Sequence, residues 1–465
     1  MSKPVLSSVE EGDGALKTVI AYADRKARLL AELGAGGRAG TRVGLAKETS
    51  NLFRDREARA RPAIDLKRFD HVLAIDAAAG LVESEGMVRY VDLADATLAH
   101  GVMPAVVPQL KSITLGGAVA GVGIEATSFR HGLVHDNIAA IDVVTGDGRI
   151  LTCTPENEHR DLFFGIPNSY GTLGYALKLS ARTLPVKPYV QIEHLRYTDA
   201  AACFADVAHY VHERDTDFLD GVVFAPGELY LTRGTFVDSV PYTSDYSYER
   251  IYYQSIRERA SDYLTARDYL WRWDTDWFWC SKNVGAQHPL LRRLYGRKRL
   301  NSIFYQKVMR WNSRWGLTTA WNRITGMNAE SVIQDVDIPL SRAAEFLDFF
   351  HAEIGILPVW ICPIKAPPAD VRFPLYPLAP DALYINFGFW DVVRDKKPRP
   401  RGFYNRKIER KVAELGGIKS LYSESYFARD EFWSIYDRAA YAALKAKYDP
   451  QGALGDLYDK VVLRR

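Results

Sequence analysis

One segment constrains this chain more than any other: Thr114-Leu-Gly-Gly-Ala-Val-Ala-Gly-Val-Gly-Ile-Glu-Ala-Thr-Ser-Phe-Arg-His-Gly132. Gly116, Gly117, Gly121 and Gly123 carry no side chain, so backbone N–H groups can come close to an anion there. Thr114, Thr127 and Ser128 add hydroxyls. The most apolar stretch, Ser112 to Ile124, is only 13 residues long and holds four Gly, whereas a membrane span needs about 20. A P-loop would require GxxxxGK[ST], which is absent. Gly121-Val-Gly123 begins a GxGxxG fingerprint, but Ala126 stands where the third Gly belongs and no helix-forming stretch follows. Spacing alone leaves two readings open, a phosphate-holding loop and a Gly-rich turn in a β-rich protein.

The pattern around this segment is α+β. Residues 1–40 read as an N-terminal helical segment with a Gly-rich exit. Residues 41–188 alternate short apolar runs with turn signals: His71 to Ile75, Met87 to Val91, Ile138 to Thr145, Arg149 to Thr152 and Ala176 to Ala181. Gly146-Asp147-Gly148 signals a hairpin, and Asp92 is placed to cap a helix running to His100. Pro185-Val-Lys-Pro188 marks a boundary. Residues 189–400 read as strands around helices, with a Trp-rich helical insert at 250–325. Residues 401–465 return to helix.

Composition removes several function classes. Lys and Arg total 60 and Asp and Glu 57, a net charge of +3, too balanced for a nucleic-acid-binding protein. The four Cys show no CxxC and the ten His no HxH or HxxxH, so no metal site and no disulfide framework are expected, in keeping with a cytoplasmic location. The start, through Glu10-Glu11, has no apolar run of the signal-peptide kind. One stretch departs from the balance. Residues 267–315 hold eleven Lys or Arg, three Asp and eleven aromatics, a composition suited to peripheral docking on an anionic membrane surface or to an aromatic core with a basic exterior.

A second Gly patch, Gly171-Thr-Leu-Gly174, joins the first in suiting the pyrophosphate and ring system of a flavin. Pro108 to Glu125, His131-Gly132, Val144 to Gly148, Cys153-Thr-Pro155, Asp161-Leu-Phe163 and Gly171 to Gly174 resemble the FAD-binding module of the vanillyl-alcohol-oxidase (PCMH-type) superfamily. Val332-Ile-Gln-Asp335, Pro358 to Pro363, Leu383 to Asn386, Leu421-Tyr422, Tyr426 and Glu431-Phe-Trp433 narrow the resemblance to the Δ24-sterol reductase-like group and its bacterial fatty-acid-modifying relatives. The resemblance implies a two-subdomain FAD module under an α+β substrate cap. It places FAD along Thr114, Leu115, Gly116, Gly117, Gly121, Gly123, Ile124 and Glu125, with Thr127, Ser128 and His131 nearby and Gly171, Thr172, Leu173 and Gly174 at the ring. Thr49, Ser50 and Asn51 would stand in the first loop, which lacks the double Gly of other members. That loop and Ile124-Glu125-Ala126 also lack the His or Cys that tethers flavin elsewhere, so non-covalent FAD is expected.

The implied activity is oxidoreduction at a carbon–carbon bond of a lipid chain. The substrate would be a methylene- or methyl-branched acyl chain or a sterol side chain, with NAD(P)H as electron donor. The Ala/Arg/Gly-rich style suggests a bacterial source and so the acyl chain. Two other readings remain, an oxidase of an alditol, lactone or hydroxy acid, and a flavin-binding membrane-surface protein without its own substrate. Alkene reduction needs a proton as well as a hydride. Tyr422, Glu424 and Tyr426 alternate and would share one face of a strand. Either tyrosine could give the proton with Glu424 tuning it, or all three are core groups. Lys365 could act as a charge partner or sit on the surface. Gln334 could bind flavin or substrate, and Cys362 reads as a small buried apolar residue.

Overall fold

A computed structural model describes residues 21–33, 43–47, 53, 62–213, 215–315 and 327–465, with the side chains of 309, 310 and 312–315 outside the description. Two antiparallel sheets organise it. The smaller runs Val72–Asp76, Leu81–Glu85, Tyr175–Pro185, Ile138–Val144, Ile150–Cys153, with Val102–Pro104 paired to Tyr175–Pro185. The hairpin at Gly146 to Gly148 joins Ile138–Val144 to Ile150–Cys153, as the sequence indicates. A parallel pair, Gly44–Ala46 with Ala63–Asp65, lies beside this sheet. Met87 to Val91 is not a strand. It leads into the helix Tyr90–Leu98, whose N-cap is Arg89, with Asp92 in the first turn bound by Arg89 (2.7 Å). The helix at 21–33 packs on this sheet through Tyr22, whose hydroxyl donates to Asp142 (2.6 Å).

The larger sheet has eight strands in the order Ser261–Thr265, Tyr189–Tyr197, Glu228–Val237, Phe218–Ala225, Val359–Lys365, Leu383–Asp395, Asn328–Pro339, Ile418–Lys419. Both of its faces are buried, and the period-2 alternation of strands assigns each residue to one of them. Val332, Val336 and Ile338, with Ile361 and Phe387, face the helices Ala200–Tyr210, Ala343–Glu353 and Phe403–Glu414. Ile333, Trp360, Cys362, Tyr384 and Trp390 face the smaller sheet. Pro185 and Tyr189 end one sheet and begin the other.

Two expectations change here. The insert at 250–325 is less helical than its sequence suggests: Ser261–Thr265 is a strand and Trp271 to Trp279 run through turns, while 316–326 lie outside the described residues. The stretch 401–465 is not one helical unit. Phe403–Glu414 covers the large sheet, whereas Arg438–Tyr448 and Leu457–Val461 reach back to the side of the smaller sheet. There Lys445 Nζ binds Thr172 O (3.1 Å) and Lys460 Nζ binds Tyr170 O (2.6 Å).

Candidate active site

A cleft of about 660 Å³ draws its lining from both sheets, a size typical of ligand pockets. One wall is backbone. Thr114 caps the helix Leu115–Ala120, its Oγ1 accepting from the Gly117 N–H (3.2 Å). The expected loop is therefore a short helix and a bend, and the Thr114 oxygen is committed to the cap. Gly116, Gly117, Gly121, Gly123, Ile124 and Glu125 line the cleft. The glycines are also demanded by packing: a Cβ on Gly116 would lie 2.8 Å from Gly86 O, and one on Gly123 would lie 2.7 Å from Val134 Cγ2. Gly171 and Gly174 line the same cleft.

Their sequence neighbours do not. Leu115 and Leu173 belong to the core, and Thr172 Oγ1 donates to Ser169 O (2.8 Å). Ser128 Oγ accepts the Glu125 N–H (3.1 Å), so it shapes the wall from behind. Thr127 is buried at the foot of the helix Ser128–His131 with no partner for its hydroxyl. His131 is off the wall. Burial, with Arg130 and Lys365 nearby, lowers its pKa to about 4 and keeps it neutral. Thr49, Ser50 and Asn51 lie outside the described residues. Lys47, Lys460, Arg464 and Arg465 also line the cleft. No sequence motif singles them out, although the basic C-terminus was the available signal.

A second part of the lining is aromatic: Phe53, Trp277, Phe278, Trp360, Trp390 and Tyr422. Phe278 lies 4.3 Å from Trp390 and 5.6 Å from Trp360 between ring centroids, and Phe53 lies 5.4 Å from Trp277. Seven described non-glycine residues have positive φ, and five of them (Val122, Tyr170, Trp277, Phe278 and Arg464) line this cleft. Such conformations cost of order 1–3 kcal/mol each and gather at functional sites. Their concentration here marks the cleft independently of its shape.

Asp335 is the carboxyl of the aromatic part, half-buried as a residue but with its Oδ1 out of reach of solvent, and sequence reasoning missed its role. It stands opposite Gly388 in register, and only a bare α carbon fits there: a Cβ on Gly388 would lie 2.7 Å from Asp335 Oδ1 and 2.5 Å from the Trp390 ring. Oδ1 has no hydrogen-bond partner. Burial pushes the Asp335 pKa up to about 8. Hydrogen bonding from Tyr422 opposes this and the charge of Asp337 adds to it. Trp390 Nε1 donates to the Tyr422 hydroxyl oxygen (2.9 Å), and burial raises the Tyr422 pKa well above its usual value.

The other residues singled out for chemistry lie elsewhere. Gln334, one position from Asp335, points to the opposite face, where its Nε2 donates to Asn405 Oδ1 (2.5 Å). Lys365 is exposed at its strand end. Residues 421–427 run from a turn at Leu421 and Tyr422 into an irregular stretch in which Tyr422, Glu424 and Tyr426 are half-buried and alternate with buried residues, and the segment makes only an isolated bridge, Ser423 to Phe53. Tyr426 donates to Glu424, which also pairs with Arg464 (3.1 Å). Glu424 thus serves Tyr426, off the cleft wall, and the carboxyl beside Tyr422 is Asp335. Cys362 is buried, its thiol 3.2 Å from Glu125 O and its pKa pushed up by burial.

A buried charge cluster joins the two parts. Arg272 reaches Glu125 (3.3 Å) on the glycine wall and Asp220 (2.8 Å) on the large sheet, and Trp360 Nε1 donates to Asp220 (3.1 Å). Burial raises the Glu125 pKa to about 7 against the pull of Arg272.

A family profile described as FAD binding domain matches residues 18–154. Over 403 residues the chain is 27% identical to the Delta(24)-sterol reductase of Macaca fascicularis and 26% identical to that of Homo sapiens. Each match covers 84% of this chain and 76% of the relative. This is an FAD-binding oxidoreductase related to the Delta(24)-sterol reductases. A shorter similarity, 30% over 156 residues, links the oxidoreductase to cytokinin dehydrogenase 7 of Oryza sativa subsp. japonica, covering 34% of this chain and 29% of that one.

The cleft fits the cofactor. The glycine wall lets a flat, charged group lie against backbone, and four cations line the same cleft for a diphosphate. Gln109 and Glu125 are buried polar groups of the lining that lie beside each other and can meet the polar edge of a ring. One group of metal-ligand type is assembled only by the fold. Asp70, His71 and Glu85 bring ligand atoms within 4.8 Å of one another. Glu85 there already binds Arg25 (2.7 Å) and His71 (2.9 Å), which makes an ion-pair network.

Proposed function

We propose that this oxidoreductase reduces a carbon–carbon double bond in the apolar chain of a lipid, with non-covalent FAD as hydride carrier and NAD(P)H as electron source. The observation that carries the reading is the aromatic part of the cleft. There five apolar rings or indoles, Phe53, Trp277, Phe278, Trp360 and Trp390, accompany Tyr422 and one carboxyl, Asp335. A polyol or hydroxy acid would need several polar partners, so the oxidase reading is disfavoured. Similarity to Delta(24)-sterol reductases supports reduction of a lipid. A methylene-branched acyl chain and a sterol side chain both suit the rings, and the bacterial style of the sequence favours the acyl chain.

The balance is C=C + NAD(P)H + H⁺ → CH–CH + NAD(P)⁺. Bound along the glycine wall, FAD supplies the hydride chemistry. The chain supplies the proton. Burial holds the Asp335 carboxyl protonated at neutral pH, as a general acid requires. Because the Trp390 N–H can only donate, Tyr422 accepts from it and keeps its own hydrogen for Asp335. That hydrogen bond steadies the carboxylate left after proton transfer. The aromatic rings exclude water and align the chain.

The test uses holoenzyme bleached by NAD(P)H without oxygen. Adding a methylene-branched phospholipid or a sterol with a side-chain alkene should restore the flavin colour and yield the saturated lipid by mass spectrometry. Recovery by oxygen alone, with both lipids unchanged, would overturn the reading.

A further inference from the structure

Residues 267–315 have the composition of a membrane face, and the structure redistributes that stretch. Trp271, Trp273, Trp277 and Trp279 are buried, so they form core and cleft lining and no lipid-facing belt. The outward side is carried by other residues. On the helix Pro289–Tyr295, Leu290 is 65% exposed, Leu291 43% and Leu294 76%, and Trp311 on the helix Ser302–Trp315 is 57% exposed. Four of the six large apolar side chains exposed among the described residues therefore belong to this one insert. Around the leucines, Arg293, Arg297, Lys298, Arg299 and Lys307 are exposed. Arg292 differs, being buried on Asp276 (2.6 Å).

The charge pattern is one-sided. No Asp or Glu occurs between Asp276 and Glu330, a stretch holding ten Lys or Arg, against +3 for the whole chain. Acidic neighbours from other elements are few. Asp245 holds Arg297 (2.8 Å) and Glu249 approaches Arg293 at 4.0 Å. Exposed leucines rimmed by cations match the interface of a bilayer with anionic headgroups. A second copy of the chain fits less well, because a two-fold contact through the leucines would set the same cations against each other.

We infer that the Leu290–Leu291–Leu294 ridge, with its collar of Arg293, Lys298 and Arg299, seats the protein on anionic membrane surfaces. The same insert presents Trp277 and Phe278 to the cleft on its inner side. Among the described residues no helix is long and apolar enough to cross a membrane. The proposal is independent of the reaction proposed above, since it is read by binding without substrate.

The experiment is flotation of the flavin-loaded full chain with phosphatidylcholine vesicles, with and without phosphatidylglycerol. Leu290→Ser/Leu294→Ser changes two outward side chains, and Lys298→Glu/Arg299→Glu reverses the collar. Flavin content and circular dichroism verify that both variants are folded. Wild-type protein should float only with the anionic vesicles, less so as salt shortens the Debye length. Each variant should partition at least tenfold more weakly. Equal flotation of wild type and the leucine variant would overturn the proposal. So would absence of wild-type binding, or a wild-type dimer that the leucine variant dissociates, which would assign the ridge to a second copy.

Discussion

The glycine wall and the aromatic part of the cleft meet around one volume but are built by opposite means. The wall is backbone. Its shape comes from residues adjacent in sequence, from Thr114 to Glu125, with the cap on Gly117 N–H fixing a short helix. The aromatic part is side chain. Trp277, Asp335, Trp360, Trp390 and Tyr422 come from five separate segments and are brought together by the register of the large sheet and by the strained turn at Trp277 and Phe278. A backbone-built surface is set by where side chains are missing, here at Gly116, Gly117, Gly121 and Gly123. A side-chain-built surface can be retuned by single substitutions, so that is where substrate choice and proton delivery reside.

The joint between the two parts offers the largest effect. Arg272→Met would leave Glu125 and Asp220 buried without their cation, a loss of about 3–5 kcal/mol. Denaturant titration should show it together with flavin release. A loss below about 1 kcal/mol would mean that the two parts do not depend on this joint. Next comes Tyr422→Phe, which strands the Trp390 N–H and removes the neighbour of Asp335. A buried unpaired group costs about 1–3 kcal/mol, so lipid turnover should fall roughly ten- to hundredfold with flavin content unchanged. Gly117→Val tests the wall. The added Cβ would sit 2.7 Å from Thr114 Oγ1, breaking a cap worth about 0.5–2 kcal/mol. Flavin retention should be lost before the fold is. The smallest effects are expected at Tyr426→Phe and Lys365→Ala, both off the cleft wall. Turnover within about twofold of wild type is expected at both, since neither side chain lines the cleft, and exposed Lys365 should cost about 0.5 kcal/mol of stability or less. A large drop at either would move the acid out of the aromatic part.

The same contrast explains what the sequence could show. The glycine wall was legible because its signal is local: bare residues in a row, a hydroxyl before them and apolar runs around them. The hairpin at Gly146 to Gly148 and the break at Pro185 were legible for the same reason. Within Gly171 to Gly174 the glycines line the cleft while Thr172 and Leu173 turn inward, a sorting that needs the fold. Asp335 was hidden by one residue. Both faces of its strand carry core residues, so polarity does not tell which face meets the cleft, and Gln334 is as plausible a site residue from sequence as Asp335. The signal was the carboxyl pair Asp335 and Asp337 on the face opposite Val332, Val336 and Ile338. Tyr422 was found by its alternation with Tyr426, but its true partner lies 87 positions away in sequence on a strand whose register no local pattern states. The four buried Trp of the insert read as a membrane belt because their composition is the same in either setting.

The central claim is that hydride and proton are handled by different parts of one cleft. Asp335→Asn tests it directly when the two half-reactions are timed separately by stopped flow. Reduction of the flavin by NAD(P)H should be unchanged. Reoxidation by the lipid alkene should slow by about 10²–10⁴-fold. In wild type the second half-reaction should also fall as pH rises through about 8, where Asp335 loses its proton, and the variant should lose that limb. Equal slowing of both half-reactions, or a variant that keeps the wild-type rate and pH limb, would contradict the account.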